Sequence, residues 1–138
     1  MLLNLTDLSD EPLQSQISRQ IRAKILAGEL TAGEVLPSIR GLARDAHVSV
    51  ITVQRGYEHL ERDGLIHSRR GKGFFVSEIQ EGRKKDMAKY KFIEDMRPLM
   101  AAAFAEGMTG EEIMAAFRAI LSELGAGKRA DGRKGDRS

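Results

Sequence analysis

Leu13, Ile17, Ile21 and Ile25 recur at every fourth position and stop before Gly28. On a helix these side chains share one face, so residues 11–27 must be covered by further elements. Asp10 or Glu11 is placed to cap this helix ahead of Pro12, whose fixed φ suits a first turn. Gly28 stands where a left-handed residue ends it.

The residues that follow supply the cover. Residues 29–37 carry a turn signal at Ala32-Gly33 and read as a loop with room for one short strand. Pro37 biases Leu36 toward extended backbone, and Ser38 caps a second helix to about Ala46. Its inward residues are Ile39, Leu42, Ala43 and Ala46; Arg40, Arg44 and Asp45 face out. After a tight turn at His47 and Val48, Ser49 caps a third helix to about Asp63 with Val53, Tyr57 and Leu60 inward. Gly64 closes it, and Leu65–Ser68 and Phe74–Val76 read as a hairpin around the tip Arg69-Arg70-Gly71-Lys72-Gly73. Five Phe, two Tyr and no Trp leave this core to aliphatic side chains.

From about Ile79 the pattern changes. Residues 80–91 are dense in charge, and then Phe92, Ile93, Met96, Leu99, Met100, Ala103 and Phe104 form a helical stripe. Pro98 marks a kink, or a break near Arg97, and Gly107 ends the helix. Thr109 and Glu112 have the spacing of a capping box, opening a helix that buries Ile113, Phe117, Ile120, Leu121 and Leu124. Residues 126–138 hold Gly, Lys, Arg and Asp with almost nothing apolar, and are expected to be a disordered basic tail.

Composition narrows the function classes. With 41% hydrophobic and 30% charged residues the chain reads as a soluble globular protein, and no apolar run approaches the roughly 20 residues of a membrane span. It has no cysteine, hence neither disulfides nor thiolate metal sites, and its N-terminus lacks a signal-peptide pattern, so a cytoplasmic location is expected. A net charge of +2 is too small to declare a polyanion partner, so any nucleic-acid footprint must be local. His47, His59 and His67 fall on different elements, so no metal site is expected, nor any cofactor. No nucleophile elbow, phosphate loop or carboxylate pair suggests an enzyme, and Glu111-Glu112 is explained as favourable charge in a first helical turn.

Three helices followed by a hairpin with a basic, glycine-rich tip is the order of a winged helix-turn-helix, which suits duplex DNA. The start of the third helix offers free N–H groups with Ser49 and Thr52 for phosphate. Gln54 fits adenine, and Val50 or Ile51 fits thymine methyls. At the wing, Gly71 and Gly73 permit close backbone approach while Arg69, Arg70 and Lys72 supply charge.

The blocks Pro12-Leu13, Gln16-Ile17, Ile21-Arg22, Ile25-Leu26-Ala27-Gly28-Glu29-Leu30 and Gly33-Glu34 resemble the opening of the GntR-type regulators. Leu36-Pro37-Ser38-Ile39-Arg40, Leu42-Ala43, Val48-Ser49, Thr52-Val53, Leu60-Glu61, Asp63-Gly64-Leu65-Ile66 and Gly71-Lys72-Gly73-Phe74-Phe75-Val76 continue the likeness in order, over about residues 11–77. The resemblance implies DNA contacts from Arg40, Ser49, Thr52, Gln54, Arg70, Gly71 and Lys72, and Ser38, Arg44, Val50 and Arg69 on the same elements complete the candidate set. Val50 departs from the arginine of many subfamilies and is similar to the YtrA subfamily, which implies methyl or shape readout at that step. The short remainder also resembles that subfamily, where two helices form a dimerisation unit; Ile93, Met96, Met100, Phe104, Ile113, Phe117, Ile120, Leu121 and Leu124 are its candidates.

The expected fold is mostly α with a small β-wing. A winged helix-turn-helix domain at 1–77 (core 11–77) precedes a helical dimerisation segment at 78–125. The expected function is that of a homodimeric repressor on a palindromic operator in double-stranded DNA, controlling a transporter operon as the resemblance implies. A small-molecule effector between the C-terminal helices stays open as a further partner. The rival reading is a winged-helix protein-interaction module, against which the basic wing argues.

Overall fold

The computed structural model describes residues 1–125, and the tail expected at 126–138 lies outside them. The elements are α1 (Leu13–Leu26), α2 (Ile39–Ala46), α3 (Val50–Arg62), β1 (Ile66–Arg69), β2 (Gly73–Val76), α4 (Glu81–Ala105) and α5 (Gly110–Glu123). This is the mostly helical fold with a two-stranded wing that the sequence led us to expect. The chain divides into two compact units, the first spanning Met1–Ala88 and the second beginning at Lys89.

In the first unit α3 is the hub, packing against α1, α2 and β1. Ile17, Ile21 and Ile25 are fully buried, as the four-residue spacing requires, and share one cluster with Val53, Tyr57, Leu60, Leu65, Ile66 and Val76. Each such side chain contributes about 1.5–3 kcal/mol by leaving water. Gly56 lets α1 and α3 approach: a Cβ there would stand 3.0 Å from Ile17 Cγ2 and 3.2 Å from the Gln14 carbonyl oxygen.

The start of α1 differs from expectation. Neither Asp10 nor Glu11 caps it; Pro12 is the N-cap, with no side-chain cap bond, and its carbonyl accepts from the Ser15 and Gln16 N–H groups at 3.0 Å each. The Glu11 carboxylate pairs instead with Arg19 at 2.9 Å in a charge-assisted hydrogen bond. Gln16, buried at 1% exposure, clamps the N-terminal segment: its Nε2 donates to the carbonyls of Thr6 (2.9 Å) and Glu11 (2.8 Å), and its Oε1 accepts from Thr6 N–H (3.0 Å). Leu3 and Leu5 pack on the core beside it.

The other boundaries follow local chemistry. Gly28 has φ +87° at the end of α1, and Ser38 and Ser49 accept from Gly41 N–H and Thr52 N–H, each at 3.0 Å, to open α2 and α3. His47 takes the left-handed conformation (φ 57°) that turns the chain from α2 into α3. The wing pairs Ile66 with Val76, His67 with Phe75, Ser68 with Phe74 and Arg69 with Gly73, antiparallel. The short strand for which residues 29–37 had room is an isolated bridge, Val35 to Phe75, with Gly33 N–H donating to Val76 O at 2.8 Å and Leu36 N–H to Phe74 O at 2.8 Å.

Helix α4 runs unbroken through Pro98, so the proline costs one backbone hydrogen bond without ending the helix. In the second unit the capping box is present: Thr109 N–H donates to Glu112 Oε1 at 2.8 Å and Glu112 N–H to Thr109 Oγ1 at 3.1 Å. The expected burial along α5 is realised only at Ile113. Ile120 (49%), Leu121 (53%) and Leu124 (74%) stay exposed among the described residues. Among the described residues no helix is long and apolar enough to cross a membrane.

Candidate nucleic-acid interface

The eleven candidate contact residues fall on three consecutive pieces of the first unit: Ser38, Arg40 and Arg44 at α2, Ser49, Val50, Thr52 and Gln54 at α3, and Arg69–Lys72 at the wing. A single buried hydroxyl ties the first two pieces together. Tyr57, fully buried on α3, donates to the Pro37 carbonyl at 2.8 Å, one residue before the cap of α2. Burial pushes the Tyr57 phenol well above its ordinary pKa, so it stays a donor across the neutral and mildly alkaline range.

The tip of α3 is neutral and polar. Ser49 Oγ accepts from Thr52 N–H and lies 2.8 Å from Thr52 Oγ1, so the two hydroxyls form one paired unit beside the free N–H groups of the first turn. Val50 and Ile51 flank it at 40% and 55% exposure, large apolar side chains held in water. Gln54 is exposed and its Nε2 donates to Glu58 Oε2 at 3.4 Å, which leaves the amide oxygen free.

The cations divide by whether they are already engaged. Arg40 is exposed and has no side-chain partner among the described residues, whereas Arg44 lies 3.5 Å from Asp45. On the wing, the Arg69 guanidinium stands over the Phe75 ring, 5.1 Å from its centroid, and the His67 ring stacks on Phe75 at 6.0 Å. Phe75 thus holds the Arg69 cation and the His67 ring on one face of the hairpin. The sequence reading did not assign Phe75 this role, although its position two residues from Gly73 fixes it opposite His67 in the register. Arg70 and Lys72 are exposed and their side chains have no partner among the described residues, while Gly71 (φ +73°) and Gly73 (φ +105°) shape the tip.

Among the described residues no group of three or more His, Cys, Asp or Glu is placed to hold a metal ion. What these residues offer is hydrogen-bond donors, free guanidinium and ammonium groups at Arg40, Arg70 and Lys72, and two exposed aliphatic side chains. That set matches phosphate oxygens, base edges and thymine methyls.

The second unit presents the other candidate surface. Ile93, Phe104, Ile120, Leu121 and Leu124 are exposed, and Met96, Met100 and Phe117 are half-buried around a groove of about 210 Å³ completed by Phe92, Ile93 and Arg97.

Residues 13–76 match the family described as "Bacterial regulatory proteins, gntR family". The chain is 28% identical over 130 residues to the HTH-type transcriptional repressor YtrA of Bacillus subtilis (strain 168), covering 94% of this chain and 100% of that one. It is 34% identical over 108 residues to the uncharacterized HTH-type transcriptional regulator YhcF of the same organism, covering 77% of this chain and 87% of that one. Among solved structures it is similar to a GntR family transcriptional regulator from Listeria monocytogenes, with TM-score 0.66, 27% identity, and coverage of 80% of this chain and 96% of that one. It is also similar to YtrA from Sulfolobus acidocaldarius, a GntR-family transcription factor, with TM-score 0.52, 29% identity, and coverage of 88% and 98%.

Proposed function

The chain belongs to the gntR family of bacterial regulatory proteins, and from that premise we propose that it is a homodimeric repressor that reads a palindromic operator. The observation that carries this reading is the set of outward donors on one domain: the unengaged Arg40, Arg70 and Lys72, with the paired Ser49 and Thr52 hydroxyls at the tip of α3. In this reading α3 enters the major groove by its N-terminus, Arg40 braces the backbone, and the wing lies along the flanking minor groove. Ser38, Arg44 and Arg69 add phosphate contacts, Val50 packs on a thymine methyl, Gln54 reads adenine, and Gly71 lets the wing backbone come close.

Dimerisation is supported by the exposed apolar positions of α4 and α5, since apolar surface of this kind commonly marks a protein–protein interface. A second copy related by a twofold axis covers them and matches the symmetry of two half-sites. The groove of about 210 Å³ is smaller than the roughly 300 Å³ at which small-molecule pockets begin, so it favours a partner's side chain over an effector. Repression is the role named for the B. subtilis relative, and control of a transporter operon in the cytoplasm rests on the subfamily resemblance.

Selection of bound duplex from a random pool by the full chain should return a twofold-symmetric sequence. Arg40→Ala and Thr52→Ala should each abolish its mobility shift at physiological salt while leaving the oligomer mass unchanged. Full binding by both variants would overturn the assigned face, and retention on non-specific DNA that is flat with salt would favour a protein-interaction module instead.

A further inference from the structure

Helix α3 has an outward stripe that the contacts above leave largely unused. Its buried residues are Val53, Gly56, Tyr57 and Leu60. Helical spacing puts Ile51, Arg55, Glu58 and Arg62 on the opposite side, and all four are exposed.

Most charged groups on this helix are spoken for. Glu58 accepts from Gln54 (3.4 Å), Arg62 lies 3.2 Å from His59 Nδ1, and Glu61 accepts from Ser68 Oγ at 3.2 Å. Arg55 alone has no hydrogen bond, ion pair or ring contact among the described residues, although Glu58 stands three positions on, where a helix commonly makes such a pair. The first turn of α3, Val50-Ile51-Thr52, carries no charge, so Arg55 is the first cation met along the helix.

Its position selects what it can reach. Arg55 lies one turn beyond Ile51, about 6 Å further along the axis at 1.5 Å per residue. A B-DNA major groove is roughly 12 Å wide and 8.5 Å deep, so a helix entering by its tip still has this second turn between the groove walls. The Arg55 side chain stems from the middle of the outward face, the part directed at the groove floor rather than at the phosphates on either side. A planar guanidinium presents two parallel donors, which match O6 and N7 of guanine.

We propose that Arg55 is the guanine-reading residue of α3, fixing one base pair in each half-site one helical turn deeper than the neutral tip. The inference rests on the DNA-binding reading of α3. Arg55 then supplies sequence selectivity that Val50, Ile51 and Thr52 cannot, since aliphatic contacts and hydroxyls discriminate guanine poorly. Its lack of an intramolecular partner means no ion pair has to be broken on binding.

The test is parallel selection of duplexes from one random pool by the full-length wild type, Arg55→Ala and Arg55→Lys, followed by titration of the wild-type consensus and its single-base variants. The wild type should enrich a guanine at one position per half-site. Arg55→Ala should lose that preference alone, bind the guanine duplex about 5- to 150-fold more weakly, keep the wild-type melting temperature, and keep the slope of log affinity against log salt. Arg55→Lys should retain part of the preference. An unchanged Arg55→Ala consensus overturns the assignment. So does uniform weakening across all sequences with the salt slope reduced by about 1, which would make Arg55 a phosphate contact. A wild type that enriches no sequence overturns the operator-reading function itself, and the inference with it.

Discussion

Removing one hydroxyl from the core tests how α2 and α3 are held in register. Tyr57 is fully buried, meets Phe74 edge-on with centroids 5.0 Å apart, and donates to the Pro37 carbonyl at 2.8 Å. Tyr57→Phe keeps the ring and its aromatic contact but loses the bond. A net hydrogen bond contributes about 1 kcal/mol, and stranding a half-buried carbonyl costs up to about 1 kcal/mol more, so the variant should lose about 1–2 kcal/mol. For a domain of this size each kcal/mol lowers the melting temperature by about 4–8 °C.

A second signature lies in pH. Burial raises the Tyr57 pKa, so above about pH 10 the unfolded chain releases a proton that the folded chain keeps. The phenol's contribution is therefore fully present below that point and is lost as pH rises toward its raised pKa, with a slope of at most about 1.4 kcal/mol per pH unit. Tyr57→Phe lacks this slope. Urea unfolding at neutral pH and through a series above about pH 9 should show the two stability curves converging as pH rises. Parallel curves above about pH 10, or equal stabilities at neutral pH, would refute the reasoning.

Three further outcomes follow from the packing. Gln16→Ala removes all three bonds of the N-terminal clamp and should cost about 1–3 kcal/mol, with hydrogen exchange at the Thr6 amide accelerating most; slow exchange at Thr6 in the variant would contradict the clamp. Gly56→Val should destabilise by about 1–3 kcal/mol or more, because even a Cβ meets Ile17 Cγ2 at 3.0 Å, and a melting temperature equal to wild type would contradict the close approach of α1 and α3. Thr109→Ala breaks the capping box and should cost α5 about 1 kcal/mol, seen as faster exchange of the Glu112 amide with no change in the first unit; unchanged exchange there would contradict it.

Periodicity and caps made most of the first unit legible. The spacing of Ile17, Ile21 and Ile25, the serines before α2 and α3, and the glycines at the ends of α1 and in the wing each have a local cause that acts within one or two turns. Features joining distant segments were not legible. Gln16 stands in a family-like block, but nothing in its own surroundings says that its amide closes on Thr6. Gly56 and Tyr57 act across helix pairs, against Ile17 and Pro37, where sequence distance hides the contact. The cap of α1 was misread because Glu11 had two partners to choose from, and the choice of Arg19 depends on side-chain geometry. Element order and resemblance point to the residues that would face DNA; which of them are already engaged, as Arg44 and Gln54 are, depends on neighbouring side chains that the sequence does not place.

The two units show what an apolar stripe does and does not specify. The stripes of α1 and α5 both follow a helical period, yet Ile17, Ile21 and Ile25 are at 0% exposure while Ile120, Leu121 and Leu124 are at 49–74%. The difference lies in supply. The first unit packs α3 against α1 and gathers residues of α2 and the wing into the same core, whereas the described residues of the second unit give α5 only α4 as a neighbouring helix. A stripe therefore states that a cover is needed and leaves open whether the cover lies in the same chain. In the proposed dimer the cover of α5 comes from the second copy, which makes tight operator binding depend on the second unit although no DNA contact is assigned there. Leu121→Asp should accordingly leave the melting of the first unit unchanged. It should weaken binding to a two-half-site duplex while sparing binding to a single half-site, and equal loss on both would place the role of Leu121 elsewhere.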